Sequence, residues 1–186
     1  MRPRARKAVH RPVRETVLLA VGAAVALLLQ IALAPNIAIL GAMPNIALVY
    51  AAVAAMLRSA DSVLVCAFLL GLACDLVGNS AVGVMAALLL LAAFAASRAA
   101  ATFGGETLAV SLAIAMVCSL VVEVAYATYY AAAAGAPFFD AVLMRALPCA
   151  LYDCAAALIV YPLLSHLFAA AAPSHKAPRS STVRLR

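Results

Sequence analysis

The sequence has no tryptophan and few charges: 11% of its 186 residues are Asp, Glu, Lys or Arg, where a soluble domain carries about 25%. Apolar residues take their place, at 68% of the chain with a mean hydropathy of +1.12. That balance excludes an ordinary water-soluble domain and marks an integral membrane protein. Metal and thiol chemistry are equally short of material. Cys66, Cys74, Cys118, Cys149 and Cys154 are odd in number, lie inside apolar runs and show neither C-x-x-C nor Cys/His ligand spacing, so they read as small buried hydrophobes. His10, His166 and His175 form no cluster, and there is no nucleotide loop and no G-x-S-x-G elbow. No metal, cofactor or catalytic residue is expected, and the chain reads as a non-enzyme. The 13 basic residues exceed the 7 acidic ones, but they gather in the two tails without interleaved aromatics. They speak of membrane topology and of anionic lipid at the tails, with no nucleic acid implied.

Residues 1–16 hold Arg2, Arg4, Arg6, Lys7, Arg11 and Arg14 with two prolines, a basic arm too polar and too broken to fold alone. Residues 17–34 follow without a charge. A basic segment ahead of an apolar one ending in Ala32-Leu33-Ala34 mimics a cleaved signal peptide. The apolar region, however, exceeds the usual length of about 7–15 residues, and Pro35 would follow the cleavage point. The run is therefore expected to remain as a first transmembrane helix. No charge occurs from 17 to 57, about twice the length of one crossing. The chain must turn back, and Pro35-Asn36, Gly41 and Pro44-Asn45 mark the turn. Pro-Asn-Ile-Ala occurs at both 35 and 44, but nothing else repeats around it.

A second helix is expected from near Pro44 to Leu57 and a third over 63–77, capped by Ser62. The fourth is expected over 84–96, closed by Ser97 and Arg98, and the fifth over 107–134. Phe138, Phe139, Asp140 and Arg145 make an amphipathic connector at the membrane edge, before a last helix over 146–169 with Pro148 in its first turn. The plan is an all-α membrane bundle of about six helices (17–169) between the basic arm (1–16) and a basic, disordered tail (170–186). With both tails in the cytoplasm, Arg58 and Arg98 also fall inside and only Arg145 lies outside, which favours an even number of helices.

Within this apolar frame each polar group needs a reason, because an ionisable side chain at the centre of a membrane helix costs about 2.5–3.5 kcal/mol on insertion scales. The densest interruption is residues 71–83, where Asp75 stands among Gly71, Gly78 and Gly83. The topology puts Asp75 near the outer face, where it either reaches the headgroups or turns inward to accept a hydrogen bond. Glu123 stands well inside the fifth run and must be hydrogen-bonded or paired. Arg145 and Asp153, eight residues apart, would face similarly on one helix and could pair. Three acids at depth would suit an ion relay, but no basic residue accompanies them and no broken helix is repeated in the two halves. Gly22 with Ala26, Ala67 with Gly71 and Gly83 with Ala87 have the spacing that lets helices approach closely.

Taken in order, Leu29-Gln30, Pro44-Asn45, Gly71-Leu72-x-x-Asp75-Leu76 with Gly83, and Pro148-x-x-x-Tyr152 with Tyr161-Pro162-Leu163-Leu164 resemble the bacterial rod shape-determining MreD family over about residues 17–168. The G-L-x-x-D-L element with its following glycine is the most specific part. Asp153 departs from the pattern, since the family often has asparagine there. The resemblance implies a non-enzymatic scaffold of the cell-elongation complex in the bacterial inner membrane. Its implied associates are the bitopic protein MreC, the MreB filament, a SEDS-type glycosyltransferase and a penicillin-binding transpeptidase. Pro44, Asn45, Gly71, Asp75, Gly83, Glu123, Arg145 and Asp153 are the candidate partner-contact or structural positions. The alternative is the substrate-binding membrane subunit of an energy-coupling-factor vitamin transporter. It would need a pocket near the outer face, for which Asn45, Tyr126, Tyr129, Tyr130 and Tyr152 are the candidates.

Overall fold

The computed structural model describes residues 4–171 except 40, 59, 79, 80, 105, 106 and 136, with backbone alone for 4–13, 134, 140, 141, 143 and 144. The basic tail expected beyond residue 171 lies outside the described residues. All regular structure among the described residues is helical apart from one isolated bridge between Ile39 and Ala42. Six helices of 12 residues or more form the bundle: α1 (Arg4–Ala32), α2 (Ile46–Leu57), α3 (Asp61–Val77), α4 (Val84–Phe103), α5 (Leu108–Ala134) and α7 (Leu147–Ala171). A one-turn α6 (Phe138–Ala141) and a π-helical turn (Val142–Ala146) make the connector before α7. Among the described residues four segments, Arg14–Ala32, Val84–Phe103, Leu108–Ala133 and Leu147–Ala171, are long and apolar enough to cross a membrane.

Several boundaries differ from the sequence reading, each for a local reason. Helix α1 begins at Arg4, inside the arm expected to be too broken to fold alone. Arginine, lysine and alanine propagate a helix well once the apolar run behind them has nucleated it. Helix α3 starts at Asp61 with Ala60 in the cap position, so Ser62 is not the cap. Helix α4 runs through Ser97 and Arg98 to Phe103. Its real stop is Gly104, whose φ of +74° suits glycine. The two Pro-Asn-Ile-Ala segments take different forms: the first lies within the 3₁₀ turn Ala34–Ile37 and its exit, the second leads into α2. They are no structural repeat.

The core is organised around the shortest of the six helices. Every residue of α2 from Ile46 to Ala55 is buried, and α2 packs against α1, α3, α4, α5 and α7. A helix apolar on all sides belongs inside a bundle. Alanines at 47, 51, 52, 54 and 55 keep its girth small enough for five neighbours. Gly22 on α1 makes room for Tyr50, since a Cβ there would sit 2.5 Å from the tyrosine oxygen. The Tyr50 hydroxyl then donates to the Leu19 carbonyl at 2.8 Å. Gly83, by contrast, meets nothing within 4 Å, so its pairing with Ala87 is not a packing motif.

At 1.5 Å per residue, 12 residues span about 18 Å, well short of a hydrocarbon core of about 30 Å. One end of α2 must therefore present unpaired backbone groups within the bundle. In lipid these have no water to turn to.

Candidate functional site

The amino end of α2 solves that problem with side chains from three other helices. Asn45 is the N-cap, its Oδ1 accepting from the Leu48 N–H at 3.2 Å. The Asn45 N–H donates to Oδ1 of Asp153 on α7, and its Nδ2 donates to Oε1 of Glu123 on α5 at 3.2 Å. Gln30, at the end of α1, bridges the entry: its Nε2 donates to the Pro44 carbonyl at 3.3 Å and its Oε1 accepts from the Ala47 N–H at 3.2 Å. The Tyr152 hydroxyl donates to the Ile37 carbonyl at 2.7 Å, pinning the 3₁₀ turn to α7. Asn45, Glu123 and Asp153 are 7%, 7% and 1% exposed. Two buried acids thus face the positive end of a helix dipole, the place where a carboxylate is most favourable. Asp153 Oδ2 is buried without a hydrogen-bond partner.

The glycine-rich stretch repeats the device one hairpin along. Asp75, only 2% exposed, turns inward from the last turn of α3. Its Oδ2 accepts from the Gly83 and Ala86 N–H groups at 2.8 and 3.1 Å, and its Oδ1 accepts from the Met85 N–H at 3.1 Å. The N-cap of α4 is Gly83, which has no side chain to cap with, so Asp75 supplies the cap from the neighbouring helix. Gly83 stands at φ +105°, where other residues are strained. Gly71, one turn before Asp75, lets α3 touch α4: a Cβ there would lie 2.6 Å from the Ala86 Cα and 2.7 Å from the Met85 carbonyl oxygen. Gly71, Asp75 and Gly83 are thus three parts of one hairpin lock.

The expected pair of Arg145 with Asp153 does not form. Arg145 sits in the π-helical turn, which redirects it. Its guanidinium lies over the rings of Tyr126 and Tyr130, 5.9 and 5.6 Å from their centroids. Its Nε is buried without a hydrogen-bond partner. Arg145 and Glu123 line the same cavity, of about 290 Å³, together with Gln30, Asn45, Asp75 and Tyr126. Of the tyrosines named from sequence for a pocket, Tyr126 alone joins Asn45 in lining this one. Gln30 carried no functional expectation, although a lone glutamine inside a charge-free run was the signal that could have found it.

The opposite end of the bundle is basic. Arg58 follows α2 and donates to Glu15 of α1 at 3.4 Å and to the Phe168 carbonyl of α7 at 3.4 Å. The pair is 31% and 40% exposed, so it orders the chain entry more than it stabilises the fold. Among the described residues no group of three His, Cys, Asp or Glu is placed to hold a metal ion.

No curated protein and no solved structure matches this chain. The family model for the rod shape-determining protein MreD matches residues 11–170, a span that holds all of α2–α6, most of α1 and nearly all of α7. The apolar bundle, the hairpin lock at Gly71, Asp75 and Gly83, and this match together place the chain in the MreD family of rod shape-determining proteins, with a role in rod shape determination.

Proposed function

We propose that the protein is a non-catalytic, multi-pass scaffold of the cell-elongation complex in the bacterial inner membrane, holding a partner's transmembrane helix against its bundle in support of lateral peptidoglycan synthesis. The observation that carries this reading is the family match across nearly the whole bundle. Both termini are taken to be cytoplasmic. Arg14, Arg58 and Arg98 belong to the end of the bundle where α1 enters, while Arg145 stands at the other, as the positive-inside rule requires.

A shallow groove between α1 and α3 supports helix docking. Ala20, Ala23, Ala24 and Ala73 line it together with Leu27 and Leu69, and small residues let a second helix come close. An MreC-like bitopic protein is the expected direct partner. The MreB filament, SEDS glycosyltransferase and penicillin-binding transpeptidase are expected in the same assembly, and anionic lipid at the basic arm. Asp75 and the α2 cap act from within, by keeping the docking helices in place.

Affinity capture from native bacterial membranes tests the proposal. The elongation proteins should co-purify. Recovery of transporter ATPases in their place would overturn the scaffold reading in favour of a vitamin-transporter subunit.

A further inference from the structure

The cavity at the amino end of α2 has an electrostatic arrangement that the scaffold role does not use. Glu123 and Arg145, an acid and a base, line one space of about 290 Å³, yet they make no ion pair within 4.0 Å. Opposite charges in a low-dielectric interior attract strongly enough to close such a gap when the side chains are free to do so. Here both are held apart. Glu123 is tied back by Asn45 Nδ2, and Arg145 is stacked on Tyr126 and Tyr130. Arg145 Nε is consequently left buried without an acceptor, a costly state for a guanidinium.

The remaining polar groups on the wall are already committed. Both oxygens of Asp75 accept N–H groups of α4, and Gln30 is occupied by Pro44 and Ala47. Away from the charged pair the wall is apolar, with Leu27, Ile31, Met43 and Val77. The volume corresponds to about ten waters, enough for an amino-acid-sized molecule.

We propose that this cavity binds a small zwitterion with an apolar tail, its carboxylate on Arg145, its ammonium on Glu123, and its tail against Leu27, Ile31, Met43 and Val77. The ligand completes both hydrogen-bonding shells at once, as neither a simple anion nor a simple amine can. The site does not depend on the scaffold reading and would stand if that reading failed. It would make the bundle's packing at α2 responsive to a small molecule.

Leucine is the minimal probe, because two compounds each delete one of its charges. 3-Methylbutylamine lacks the carboxylate, and 4-methylpentanoate lacks the amine. Binding of radiolabelled leucine to the full-length protein in lipid nanodiscs should be saturable. Each deletion analogue should compete at least about tenfold more weakly, as expected for loss of a charge-assisted hydrogen bond. Glu123→Gln and Arg145→Gln should each abolish binding while helicity and elution volume stay unchanged.

A second measurement leaves the charged pair intact. Cys74 and Cys149 both line the cavity. In a protein retaining Cys149 as its sole cysteine, leucine should slow modification by a small methanethiosulfonate, and the analogues should not. Absence of both saturable binding and protection would mean a cavity holding water only. That result would overturn the proposal, as would equal binding of either single-charge analogue or binding that survives both substitutions.

Discussion

Replacing Asp75 by alanine removes the shared cap of α4 and tests the hairpin lock directly. The carboxylate accepts from Gly83, Met85 and Ala86 at 2.8, 3.1 and 3.1 Å, and it is 2% exposed. A buried hydrogen bond to a charged group contributes about 1.5–3 kcal/mol, and an exposed N-cap about 0.5–2 kcal/mol. Three amides share one carboxylate here, and their contributions do not add. A net loss of about 3 kcal/mol is expected, about a hundredfold in the unfolding constant. For a chain of this size that corresponds to a midpoint about 6–12 °C lower.

Thermal unfolding in detergent, followed by size-exclusion of the protein that remains monodisperse, reads this shift without needing tryptophan, which the chain lacks. Asp75→Asn keeps one oxygen acceptor and should fall between wild type and Asp75→Ala. Asp61→Ala, exposed on the first turn of the same helix, should remove only a dipole contribution of about 0.3–1 kcal/mol and so lower the midpoint far less. A midpoint for Asp75→Ala within about 2 °C of wild type, a shift of under 1 kcal/mol, would refute the capping argument.

Substitutions at two further positions probe the same frame. Gly71→Ala places a methyl 2.6 Å from the Ala86 Cα, backbone that cannot swing aside, so α3 and α4 must separate at a cost of about 1–3 kcal/mol, read in the same thermal assay. Asp153→Asn keeps an oxygen for the Asn45 N–H and should shift stability by less than about 1 kcal/mol, whereas Asp153→Leu strands that N–H in the core and should cost about 1–3 kcal/mol more. Equal stability of the asparagine and leucine variants would show that Asp153 does not cap α2.

The roles of these acids change how membrane-depth charge should be understood in this protein. From sequence Asp75 could reach the headgroups or turn inward to accept a hydrogen bond, and Asp153 could form half of a rim ion pair. In the structure Asp75 takes the inward course and both acids accept backbone N–H groups, at the amino ends of α4 and α2. The reason is geometric. A bundle that includes a 12-residue helix has a helix end inside it, and a carboxylate is the strongest acceptor available for the amides exposed there. Gly71, Asp75 and Gly83, the most distinctive part of the family resemblance, are accounted for by the fold itself. They therefore mark the architecture before they mark any partner surface.

Composition and order along the chain were enough to specify a membrane helical protein, the turn at 35–45, the family and the approximate place of each long helix. These are local properties: hydropathy summed over a window, and proline, asparagine and glycine where a helix must stop. They could not show that α2 is the buried centre, because an all-apolar helix looks the same to sequence whether lipid or protein surrounds it. Nor could they bring together Gln30, Asn45, Glu123 and Asp153, which lie on four different elements up to 123 positions apart. Arg145 shows the limit most clearly. Eight residues of regular helix would have aimed it with Asp153, but the π-helical turn rotates it onto Tyr126 and Tyr130, and only the packing of α5 against the connector decides that.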